Sequence, residues 1–186
     1  MPQSKTLKLL LMDGEPSGRI KCSLANWTGI AYKIPRIYLD KCKDVDILKQ
    51  SGVYFLFGTN KDGDAVVYIG QAGVRKNGKG LLLQVQEERS SIDYWTETIM
   101  FTTSNNSFSP TETSYLENRF CDLAIQANRY IVKNDNNPNP GNITEETESD
   151  LEGFIDYAKI VMGALGHKVF EPFISSSPES EDKPLL

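Results

Sequence analysis

The chain has 186 residues, with 20 Lys and Arg against 25 Asp and Glu, a formal net charge of −5, and 39% hydrophobic and 24% charged residues. That composition fits one soluble globular domain and excludes a disordered or fibrous chain. No apolar run reaches the ~20 residues a bilayer crossing needs. The opening residues lack the apolar stretch of a signal peptide, so a cytoplasmic protein with no membrane partner is expected. Three scattered cysteines, Cys22, Cys42 and Cys121, form no C-x-x-C pair, which argues for buried, reduced thiols rather than disulfides or a zinc site.

In chain order, Thr6–Met12 and Arg19–Leu24 flank the turn-forming run Asp13-Gly14-Glu15-Pro16-Ser17-Gly18 and read as a hairpin. Ala31–Leu39, interrupted by Pro35, reads as a further extended or edge segment, and Asp44–Gln50 as a short helix. Val53–Phe57 and Ala65–Ile69 are β-branched and aromatic runs joined through Asp62-Gly63, a strong hairpin signal. Both are apolar on either face, as in a sheet covered on both sides. Gly80–Glu88 reads as a helix and Glu97–Thr102 as a third strand. Ser109-Pro110-Thr111-Glu112 supplies a capping box for a helix expected to run to about Tyr130. After the turn-rich stretch from Asn134 to Asn142, Ser149-Asp150-Leu151-Glu152 reads as a second capping box. It would open a helix that Gly166 ends. From Ser175 the composition is that of a disordered tail.

The expected fold is α+β, a small antiparallel sheet flanked by helices. An N-terminal β subdomain over residues 1–48 would pack beside a main domain over 49–135. A C-terminal helix would follow over 136–174, and then a tail over 175–186.

One position stands out by periodicity alone. Glu117 shares a helix face with Phe120, Cys121 and Ala124, and a carboxylate on an apolar stripe needs a compensating partner. Spacing leaves a functional role and a buried structural ion pair equally open. Tyr54 and Tyr68 read by themselves as core aromatics. His167, after the helix end, is favourable there as a cation and no triad member. Net charge counts against a nucleic-acid binder, although Arg75-Lys76-Asn77-Gly78-Lys79 is locally basic and much of the acid lies late in the chain.

Taken together, Gly52-Val53-Tyr54, Tyr68-Ile69-Gly70 and the later helix carrying Glu117 resemble the GIY-YIG nuclease superfamily. The resemblance covers roughly residues 51–134. The run from Asp13 to Gly29 and the stretches Ser107–Glu112 and Tyr115–Phe120 are similar to a group of bacterial GIY-YIG proteins with an N-terminal β segment.

The resemblance implies metal-dependent hydrolysis of DNA. Glu117 would hold one Mg²⁺ or Mn²⁺, Tyr54 would help deprotonate the attacking water and Tyr68 would orient within the same cluster. It also implies an arginine clamp and, four residues on, a histidine; those places carry Gln84 and Glu88 here. Loss of one such electrostatic group typically costs about 10²–10³ in rate. Arg75, Lys76 and Gln84 are the expected substrate-binding residues, with Asn134 or Asn128 matching the family's late asparagine. The alternative is an inactive domain of this type that binds nucleic acid or a protein partner.

Overall fold

The computed structural model describes residues 3–73, 80–134 and 142–172. Seven strands form there, β1 (Leu7–Leu11), β2 (Ile20–Leu24), β3 (Gly29–Pro35), β4 (Gly52–Thr59), β5 (Ala65–Ala72), β6 (Trp95–Thr103) and β7 (Ile131–Lys133). Helix α1 (Leu81–Ser91) lies between β5 and β6, α2 (Pro110–Ala127) between β6 and β7, and α3 (Glu145–Ala164) follows. Two 3-10 helices, Arg36–Cys42 and Asp46–Lys49, lead from β3 to β4. No helix among the described residues is long and apolar enough to cross a membrane.

The class is α+β, with a sheet larger than expected. All seven strands join in the order β1-β2-β3-β6-β4-β5-β7, antiparallel throughout except for β5 and β7. The N-terminal strands therefore continue the hairpin's sheet instead of packing beside it. The junction is β3 on β6, in register from Gly29↔Thr103 to Pro35↔Glu97. Ile30, Ala31, Tyr32 and Ile34 are all buried, so β3 is an interior strand and not an edge. Pro35 is tolerated because it ends the strand, where its missing N–H interrupts no ladder.

Side-chain alternation along β4 and β5 builds two cores. Val53, Phe55, Phe57, Val67 and Ile69 face α2 and α3. Tyr54, Leu56 and Tyr68 face α1 and the 3-10 helices. On the first face Phe55 meets Phe101 and Phe120 edge-on, with centroids 5.8 and 5.4 Å away. On the second, Arg36 lies 4.6 Å over the Trp95 ring. Its guanidinium donates to the carbonyls of Arg89, Ile92 and Trp95, tying the first 3-10 helix to the end of α1.

Local chemistry explains the element boundaries. The Asp62-Gly63 turn forms as expected, with Gly63 at φ 85° and the Asn60 side chain accepting from the N–H groups of Asp62 and Asp64. At α2 both halves of the Ser109–Glu112 capping box are present, at 3.2 and 2.8 Å. The helix stops short of Tyr130 because Asn128 turns left-handed at φ 53°. Helix α3 starts earlier than the Ser149 box predicted. Thr144 is its cap, accepting from the Thr147 N–H at 3.1 Å, and Glu145, Glu146 and Glu148 occupy the first turn. Acids there meet the positive end of the helix dipole, which outweighs the second box. Most of the turn-rich stretch and the expected tail lie outside the described residues.

Candidate functional site

The two tyrosines lie in neighbouring strands on the α1 face, their rings stacked with centroids 6.2 Å apart. Tyr54 pairs with Gly70 across the hairpin. A side chain at Gly70 would come within 2.5 Å of the Tyr54 hydroxyl, so the glycine of Tyr68-Ile69-Gly70 is what gives that hydroxyl its place. The Tyr54 O–H donates 2.9 Å to Glu88 Oε2. Glu88 is only 8% exposed, so this acid is a buried acceptor for the tyrosine. Burial drives the Tyr54 phenol well above its ordinary value, the Glu88 and Tyr68 charges add to it, and a Gln84 hydrogen bond opposes it weakly. A phenol held this firmly protonated is a donor and not a base.

Glu117 sits on the other face of the sheet, in the second turn of α2, fully buried. The apolar stripe around it is as the periodicity predicted, with Phe120, Cys121 and Ala124 buried alongside. Its Oε2 accepts 2.8 Å from Asn134 Nδ2, which also donates to the Ile69 carbonyl at 2.6 Å. Among the described residues neither Asn134 Oδ1 nor Glu117 Oε1 has a partner. Burial raises the Glu117 carboxyl above its ordinary value, with the Asn134 hydrogen bond and the polar Gln71 side chain opposing. No cation among the described residues pairs with it; Arg119 instead binds Glu152 on α3 at 2.8 and 3.1 Å. The structural ion pair is therefore absent among the described residues.

Three of the side chains near Glu117 escaped the sequence reading. Gln71 accepts from Thr113 Oγ1 at 2.8 Å and donates to Ser114 Oγ at 3.1 Å. The available signal was parity: Gln71 is two residues beyond Ile69 on the same strand face, and Thr113 is one helical turn before Glu117. Between the two late asparagines the geometry chooses. Asn134 reaches Glu117, carried there by β7 alongside β5, whereas Asn128 caps α2.

The elements therefore bring together Tyr54, Tyr68, Gln84 and Glu88 on one face and Glu117, Asn134 and Gln71 on the other. Arg75 and Lys76 lie outside the described residues. Arg89 does not supply a clamp; it forms a two-pronged pair with Asp40 at 3.1 and 2.9 Å. His167 has a structural setting. It stacks on Phe57 with centroids 3.7 Å apart, and its ring nitrogens meet Glu97 and the Tyr130 hydroxyl. Burial would raise Glu97, but His167 and Lys33 beside it hold its carboxyl below the ordinary value.

Among the described residues no group of three or more His, Cys, Asp or Glu side chains could hold a metal ion. Glu117 and Asn134 still offer two hard oxygen donors that have no partner among the described residues, the type that Mg²⁺ or Mn²⁺ takes. Comparison of the chain with protein-family models, curated proteins and solved structures finds no match.

Proposed function

We propose that this chain is a divalent-cation-dependent DNA endonuclease of the GIY-YIG type, with a slow hydrolytic step. One observation carries the reading. Glu117 and Asn134 are hydrogen-bonded neighbours, each with a buried oxygen that has no partner among the described residues. An unpaired buried carboxylate is costly at neutral pH, and a cation is the natural compensation. Glu117 and Asn134 would hold Mg²⁺ or Mn²⁺, leaving other positions to water and phosphate oxygens. Such an ion, when bound, neutralises charge on a phosphodiester and makes a bound water more acidic.

The chain's own groups do the rest. Asn134 fixes the Glu117 carboxylate by donating to one of its oxygens. Tyr54 retains its proton and donates a hydrogen bond to Glu88 on the opposite face of the sheet, where the pair ties α1 to β4 and takes no part in the step at Glu117. Gln84 lies with Tyr54 on that opposite face, and no cation among the described residues pairs with Glu117, which is the reason the step is slow. Arg75 and Lys76 are the proposed contacts to the DNA backbone.

A catalytically silent module that binds nucleic acid or protein is the second reading, favoured by the Tyr54–Glu88 bond, which occupies the phenol with an acid. Nicking of supercoiled plasmid separates the two. A slow enzyme nicks with Mg²⁺ or Mn²⁺ and stops nicking as Glu117→Gln; a silent module leaves the plasmid intact with either ion.

A further inference from the structure

Two sequence stretches that the Glu117 and Tyr54 clusters leave unused meet at a cleft of about 490 Å³. One is Asn26-Trp27-Thr28, just ahead of Gly29 at the start of β3. The other is Asn105–Phe108, between β6 and α2, and the first turns of α3 close the third side. We propose that this cleft binds a cationic head group, a quaternary ammonium or a guanidinium, through its aromatic faces and two rim carboxylates.

The aromatic lining is a connected group. Trp27 lies 5.1 Å from Phe154 at a tilt of 40° and 6.3 Å from Tyr157, while Phe108 meets Phe154 edge-on at 5.1 Å. Gly29 makes this possible. A side chain there would come 2.2 Å from the Trp27 ring, so only glycine lets the indole lie against the strand. On the α3 side Gly153 leaves open space where a side chain would stand.

The walls are fixed before any ligand arrives. The Ser104 N–H donates to the Thr28 carbonyl at 2.9 Å, joining the two loops. Thr103 Oγ1 accepts from the Ser107 N–H at 3.0 Å. Asn26 and Asn106 hold left-handed turns at φ 62° and 52°. A preformed cleft avoids the ordering cost that weakens binding to loose loops.

Charge selects the class of ligand. Glu112 and Asp150 line the cleft, and no Lys or Arg among the described residues does. Glu112 keeps an oxygen beyond the one that accepts from the Ser109 N–H. Phosphates and nucleotides are repelled by such a rim, whereas a cation gains both from the carboxylates and from the negative faces of the rings. The volume suits one such group with part of its carrier, as a free small molecule or as the side chain of a peptide. This inference is independent of the nuclease reading, because it shares no residue with Glu117, Asn134 or Tyr54.

The test is titration of the full chain, followed by the indole N–H resonance of Trp27 in nitrogen-edited NMR spectra. The probes are choline chloride, its uncharged tert-butyl isostere, Nα-acetyl-arginine amide and inorganic phosphate. The expected result is a saturable shift with choline or the arginine derivative, at least about fivefold tighter than with the isostere. The tighter of the two cations identifies the source. Asp150→Asn, an exposed change that leaves the fold intact, should weaken the cation about two- to fivefold and leave the isostere unaffected. Equal binding of isostere and cation, a response to phosphate alone, or no response to either cation would overturn the proposal.

Discussion

Glu117 is the residue on which the functional reading turns, and its protonation gives a direct check. Burial raises its carboxyl, with Asn134 and Gln71 only partly opposing. A carboxyl whose folded value exceeds the unfolded ~4.3 stabilises the fold fully below that unfolded value. The contribution is lost as pH rises through the folded value, so at neutral pH the ionised group destabilises unless a cation compensates. Mn²⁺ or Mg²⁺ should therefore raise Tm more at about pH 8 than at about pH 5. Glu117→Gln should raise the metal-free Tm and remove the increment. Scanning fluorimetry at the two pH values measures both effects; an increment surviving in Glu117→Gln would show that any bound ion lies elsewhere. The stripe of Glu117, Phe120, Cys121 and Ala124 made this residue legible in the sequence, because helical period alone places it. Its neighbours were less legible, since Gln71 meets it only where β5 packs on α2, and Asn134 reaches it through a strand pairing, β5 with β7, that three residues of β7 announce too weakly.

At the scale of elements, caps and parity carried the boundaries, and competing interactions explain the misses. The Ser109–Glu112 box was readable and forms, so Ser109→Ala should destabilise by about 1 kcal/mol. Urea denaturation followed by far-ultraviolet circular dichroism would measure it, and a change under a few tenths of that would mean the box is redundant. The Ser149 box was equally readable and does not form, because Thr144 and three acids open α3 upstream. The split of Tyr54 from Glu117 across the sheet was not readable. Alternation says that Tyr54 and Phe55 point oppositely, but only tertiary packing decides that α1 covers the first and α2 the second.

At the scale of the whole molecule, the sheet is the unit. The β3–β6 ladder joins residues 1–48 to the hairpin domain, so the strands before Asp46 should unfold with the rest. A single urea transition, coincident by fluorescence and circular dichroism, is expected; a separate early transition confined to the N-terminal strands would contradict the joined sheet. The same architecture sets the slow-nuclease reading, for it mounts Gln84 and Glu88 beside Tyr54 on α1 while Glu117 waits on α2. The most direct measurement is the nicking rate of supercoiled plasmid in Mn²⁺ for the native chain and for Glu117→Gln. Slow nicking by the native chain is predicted, with none by Glu117→Gln. Undiminished nicking by Glu117→Gln, or none by the native chain, would contradict it.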